Sequence, residues 1–235
     1  MKIRFTLLGL VASILVSNAS AAMVARYVFT GGSASSTDAF AGSTAQTFVI
    51  SGGTPLADPA QMGFSTTTEQ PFLRTSGLTS TKQGAIDNND FFAFTVTPDV
   101  GTTYPLSQLS FSFGGSNVSS GSTADAYTAY VSVQAQIGSG AFFEVAPEIS
   151  RGVPYDAGNS GPQLDPYALD LSGIPALQNT TEAVTFRFYV HSDVFVDGKI
   201  VRLDNVVLDT VPEPSMALLA VAGGALALGR RRSRA

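Results

Sequence analysis

Apolar and polar residues alternate with a period of two along four stretches of the chain. Phe92, Phe94 and Val96 alternate with Ala93, Thr95 and Thr97, and Leu109, Phe111 and Phe113 with Ser110 and Ser112. Ala129, Val131, Val133, Ala135 and Ile137 alternate with Tyr130, Ser132, Gln134 and Gln136; Val184, Phe186, Phe188 and Val190 alternate with Thr185, Arg187, Tyr189 and His191. Successive side chains of a strand point to opposite faces, so each run offers one face to a core and one polar face outward. Shorter strands are predicted at 24–29, 47–51 and 142–145. No window between the two ends of the chain shows helical periodicity. The predicted fold is all-β, a two-sheet antiparallel β-sandwich of jelly-roll type.

Turn residues punctuate these runs. Asp197-Gly198 separates the run from 184 from the one that starts at Lys199, which predicts a tight hairpin because glycine tolerates positive φ. Asp87-Asn88-Asn89-Asp90 precedes the strand at Phe91, and Pro98-Asp99-Val100-Gly101 follows it. Gly/Ser/Thr-rich segments at 31–43, 65–82 and 114–125 read as surface loops. Prolines at 154, 162, 166 and 175 make 152–179 a long connection.

The two ends follow another pattern. Residues 1–22 open with Met1-Lys2-Ile3-Arg4, continue with an apolar run over 5–16 and close on Ser17-Asn18-Ala19-Ser20-Ala21-Ala22. A basic start, a short apolar core and small residues before the cleavage point make a secretory signal peptide. Twelve apolar residues fall short of the roughly 20 that span a bilayer. Cleavage after Ala21 or after Ala22 fits equally. The predicted sandwich domain then covers 23–210.

At 211–235, Val211-Pro212-Glu213-Pro214 is followed by an apolar, glycine-containing run over 216–228 and by Arg230, Arg231, Arg232 and Arg234. Two prolines around one residue end any strand or helix. The apolar run suits a short membrane helix, with the arginines held on the cytoplasmic side. This ordered tripartite tail, on a chain with a signal peptide, resembles the PEP-CTERM sorting signal. The resemblance covers about 25 residues at the C-terminus. It implies that the Sec machinery and signal peptidase act on the chain. An exosortase would then recognise Pro212-Glu213-Pro214, after a stage held in the inner membrane by the C-terminal helix. It also implies release to the envelope or exterior of a bacterium that makes exopolysaccharide. An ordinary C-terminal anchor is the competing reading of the tail.

Composition narrows the chemistry. Of 235 residues none is Cys and one is His, which excludes disulfides, thiolate metal sites, cysteine nucleophiles and two-histidine motifs. Between 23 and 211 there are 7 basic and 17 acidic residues, a net charge of −10. Such a domain does not bind nucleic acid through phosphates.

His191-Ser192-Asp193 holds the residue types of a hydrolase triad. Strand neighbours point to opposite faces, however, and no Gly-x-Ser-x-Gly elbow presents a nucleophile. His191 is expected on the polar face, without catalytic work. Glu69, Glu144, Glu148 and Glu182, the glutamates of the 23–211 segment, sit in no recognisable motif, so a glycan-active hydrolase is the least supported reading. No cofactor is required. A structural Ca²⁺ is one candidate, held by Asp87 and Asp90 or by Asp204. The Asp204 assignment comes from a loose resemblance of Leu203-Asp204-Asn205-Val206 to the last strand of galactose-binding-like and carbohydrate-binding modules. Tyr130 and Tyr189, on the polar side of their strands, are candidate glycan platforms. Asn117-Val118-Ser119 and Asn179-Thr180-Thr181 are glycosylation sequons. The expected function is that of an exported, non-catalytic envelope or matrix protein, structural or adhesive with exopolysaccharide. The alternative is a carbohydrate-binding module.

Overall fold

The computed structural model describes residues 22–37, 40–52, 62–65, 67–117, 125–155, 161–196 and 198–210. The expected sorting segment (211–235) and all but Ala22 of the expected signal peptide lie outside the described residues. The strands are β1 (Met23–Tyr27), β2 (Ser43–Ala45), β3 (Val49–Ser51), β4 (Met62–Phe64), β5 (Pro71–Arg74), β6 (Phe91–Pro98), β7 (Leu106–Asn117), β8 (Tyr127–Ile137), β9 (Phe143–Glu144), β10 (Ile149–Val153), β11 (Gln163–Asp170), β12 (Val184–Ser192) and β13 (Lys199–Thr210). One helix, α1 (Lys82–Asn88), precedes β6.

Two antiparallel sheets result. Sheet A runs β11-β7-β13-β5-β4, with β1 also on β13; sheet B runs β10-β8-β12-β6-β2, with β3 also on β6 and β9 on β8. From β5 onward the chain passes to the other sheet at nearly every step, β8, β9 and β10 alone staying together in sheet B. The inward side chains of both sheets share one core: Phe94, Phe186, Phe188, Val131 and Val133 from sheet B meet Phe111, Phe113, Leu203 and Leu208 from sheet A. Phe111 and Phe188 touch edge to face across the sandwich, with ring centroids 5.1 Å apart.

The four long alternating runs form β6, β7, β8 and β12 as expected, and the short ones overlap β1, β3 and β9. Elsewhere the expectations need correction. Asp197-Gly198 does not close a hairpin. Both edges of β12 are taken by β8 and β6, so β13 crosses to sheet A and pairs with β7, β5 and β1. The segment 65–82, expected as a loop, holds β5, which lies between β13 and β4. The proline-rich 152–179 holds β11, at the edge of sheet A, where Pro166 costs no ladder bond to an outer neighbour. Strand β7 runs on to Asn117, four residues into another expected loop.

α1 was not expected from periodicity, because seven residues make only two turns. Its ends carry ordinary signals. The Thr81 hydroxyl accepts from the Gly84 amide at 3.1 Å, and Asn89 closes the helix in the left-handed region at φ 58°. Ala85 and Ile86 of α1 pack on Phe91, Ala93 and Tyr189 on the outer face of sheet B. That face, read from alternation as solvated, is in part a second apolar layer.

In β13 an extra residue reverses the alternation. Asp204 lies opposite Ser112 and Val207 opposite Ser110, so three steps on β13 match two on β7. Asn205 takes φ 49° in this bulge. Inward positions change from Val201 and Leu203 to Val206 and Leu208, all four fully buried.

Candidate functional site

Sheet B brings together the residues singled out on its polar face. The Ser132 hydroxyl on β8 donates to Glu148 Oε2 at 2.9 Å, and His191 Nε2 on β12 lies 3.0 Å from the same oxygen. The Tyr130 ring stacks on the His191 imidazole with centroids 4.5 Å apart and planes 6° from parallel. His191 lies on the polar face, as expected, but is only 5% exposed, because the Tyr130 ring and the 148 segment cover it. Burial pushes the Glu148 carboxyl up, but hydrogen bonds from His191 and Ser132, with the His191 and Lys82 charges, outweigh it and leave the carboxyl below its usual range. Ser132 is bonded to the carboxylate, not to the imidazole, so the cluster has no nucleophile-to-base hydrogen bond. Ser192, as expected, is turned away from His191 into the interior, where its hydroxyl accepts from the Val194 amide at 3.3 Å. His191 Nδ1 is buried without a hydrogen-bond partner.

Next along the same face, the Arg187 guanidinium carbon lies 4.3 Å from the ring centroids of both Phe91 and Phe142. Its Nη1 donates to the Tyr189 hydroxyl at 3.0 Å. Tyr189 is 3% exposed, with its ring edge-on to Phe91 at 5.5 Å. A ring so covered offers no face to a sugar, and the expectation of a platform at Tyr189 is corrected accordingly. Tyr130 is half-buried and already has one face on His191.

The carboxylates considered for calcium do not converge. Asp87 is exposed on α1 and accepts from Gln83 Nε2 at 2.8 Å, whereas Asp90 is fully buried at the start of β6. Asp204 Oδ2 accepts from Gln70 Nε2 at 2.8 Å, and its Oδ1 from the Asn205 amide at 2.7 Å, which ties it to the bulge. Among the described residues no three His, Asp or Glu side chains are grouped to hold a metal ion. Of the sequons, Asn117 is 1% exposed and donates to the Asp125 carbonyl, so it is not offered to glycosylation.

Sequence reading missed two buried cations on β13. Lys199 Nζ donates to the Asp125 carbonyl and lies 5.7 Å from the Tyr127 ring centroid, at one end of the sandwich. Arg202 is 6% exposed; its Nε donates to the Ser116 hydroxyl and its Nη1 to that of Thr68, each at 2.9 Å. None of the ion pairs among the described residues includes Arg202. Burial first, and the Arg74 guanidinium nearby, lower its pKa to about 10. Position alone hinted at it: Arg202 falls between the core residues Val201 and Leu203, on a face that alternation assigns to water.

An open cleft of about 310 Å³, lined by Tyr127, Val153, Pro154 and Asp193 among others, lies where β8 and β10 meet. Among the described residues no helix is long and apolar enough to cross a membrane. No protein-family model matches the chain, and no curated protein is significantly similar to it.

Proposed function

We propose that this is an exported, non-catalytic protein of the cell envelope or extracellular matrix. In this reading a C-terminal PEP signal sorts it, and it acts structurally or adhesively with exopolysaccharide. The observation that carries the reading is the order of parts at the two ends: a tripartite signal peptide at 1–22, then Pro212-Glu213-Pro214, an apolar run and four arginines at 211–235. Supporting it, the polar side chains on the outer face of sheet B are spent on one another, as in the bonds of Ser132 and His191 to Glu148. The finer fold assignment, a jelly roll, is supported by the sheet orders β11-β7-β13-β5 and β10-β8-β12-β6 with strands passing between sheets.

Intact mass of the protein recovered from its host's envelope and culture medium tests the reading. The expected species lacks the signal peptide and everything beyond the Pro212-Glu213-Pro214 region. Recovery of a membrane-held species that retains Met216 to the C-terminus would overturn sorting and make the tail a permanent anchor.

A second reading, a carbohydrate-binding module, is favoured by one observation. On the outer face of sheet A an aromatic ring, two guanidinium groups and several hydroxyls lie together.

A further inference from the structure

Strands β13, β7 and β5 bring an unusual set of side chains to the outer face of sheet A. Arg202 lies opposite Gly114 on β7 and opposite Phe72 on β5. Gly114 has no side chain, and the β11 backbone at Gln163 takes the place a Cβ would occupy; the next outward residues of β7 are Ser112 and Ser116, small and hydroxylated. The Arg202 and Arg74 guanidinium carbons lie 5.7 and 5.9 Å from the centroid of the same half-buried Phe72 ring. Two cations therefore flank one ring, and their mutual repulsion adds to the cost of burying Arg202. The Ser116 and Thr68 hydroxyls are neutral and do not balance its charge. The carboxylate two residues away on β13, Asp204, is committed to Gln70 and to the Asn205 amide.

A buried guanidinium that lacks a carboxylate is costly unless an anion is supplied. A guanidinium also presents donors in a fork that matches a carboxylate or sulfate better than any neutral group. An aromatic ring next to it suits the apolar face of a sugar ring. We propose that Arg202, beside the Phe72 ring, forms an oxyanion subsite that takes the carboxylate or sulfate of an acidic polysaccharide. Thr68, half-buried and bonded to the guanidinium, is the polar group that borders it on the exposed side. This deepens the matrix reading and rests on it. The net charge of −10 over 23–211 makes the local site decisive, since a polyanion meets general repulsion elsewhere on the domain.

The test is native electrophoresis of the full chain in gels that contain polygalacturonate, sulfated dextran or neutral dextran, for the parent and for Arg202→Met. The terminal arginines are common to both proteins and cancel in the comparison. The parent is expected to be retarded by at least one anionic polymer beyond the neutral gel, and which polymer it is tells carboxylate from sulfate. Arg202→Met is expected to weaken that retardation about tenfold or more, the usual worth of a charge-assisted bond. Its melting temperature should equal or exceed the parent's, because an unbalanced buried charge is gone. Equal retardation of parent and variant, or no excess over neutral dextran, overturns the proposal. So does a fall in melting temperature with retardation unchanged, which makes Arg202 purely structural. Competition on the parent alone gives an answer even if the variant fails to fold: free galacturonate should relieve the retardation where galactose does not, and equal effects of the two overturn the subsite. Failure here leaves the matrix reading standing, because that reading is decided by the processed mass in the host.

Discussion

The Tyr127 hydroxyl, at the start of β8 in sheet B, donates to the Ile200 carbonyl of β13 in sheet A at 2.6 Å. It spans the sandwich at the end where Lys199 is also buried. Burial pushes the phenol above its usual pKa, so it stays a donor through the neutral range. The residue beneath it on β7 is Gly115, and a Cβ there would overlap both the Tyr127 hydroxyl and the Ile200 carbonyl.

Tyr127→Phe should therefore destabilise the fold by about 1 kcal/mol, the net value of one hydrogen bond. Gly115→Ala should cost more, because the clash includes backbone that cannot rotate away. The double variant should not recover, since the Ile200 carbonyl remains in the way. Urea midpoints of the three variants test this order; a double variant more stable than Gly115→Ala by more than the error would show that the hydroxyl alone sets the limit.

The Glu148 cluster should make stability depend on acid. The carboxyl sits below its usual range in the fold, facing His191, Ser132 and the Lys82 charge. Its stabilisation is thus complete above the ordinary carboxylate pKa and is lost as pH falls through the lowered folded value. Asp209, pushed up by burial, works in the opposite sense and gains as it protonates. The melting temperature should fall with acidification, and Glu148→Gln should fall less steeply over the same interval. Parallel curves for parent and variant would mean that the Ser132 and His191 bonds do not discriminate the ionised form.

Arg187 between Phe91 and Phe142 should be a stabilising contact rather than an exposed charge. Arg187→Met and Phe142→Leu should each cost about 1 kcal/mol, and the pair should cost less than the sum. A double-mutant cycle from denaturant unfolding reads the coupling. Additive losses would place the guanidinium's worth in its bond to Tyr189 instead.

The parts of the fold that can be read from the chain are those where one face does one thing. Phe92, Phe94 and Val96 alternate because β6 lies in mid-sheet with its inner face on the core, and β8 and β12 repeat the pattern beside it. β5 escaped notice because four residues beginning with Pro71 carry too little alternation, and β11 because Pro166 reads as a breaker away from an edge. α1 was hidden by its length, although Thr81 and Asn89 mark its ends. The Asp197-Gly198 signal was silent about which partner each strand would take.

The candidate sites were less legible still. Ser132, Glu148 and His191 are separated by 16 and 43 residues and meet because β8 and β12 pair while the chain before β10 folds across them. Arg202 looks like any outward arginine until Thr68, 134 residues earlier, and Ser116 are seen to enclose it.

By itself the sequence determined the alternation that makes strands, the acidic and cysteine-free composition that limits chemistry, and the tripartite patterns at the two ends, since all of these are local properties of the chain. Tertiary structure decided which strands became neighbours, which outward residues were covered and which buried charges were left without a counter-charge. Those depend on pairings between residues far apart in the chain, and the energy of burying a group is set by whatever finally lies over it.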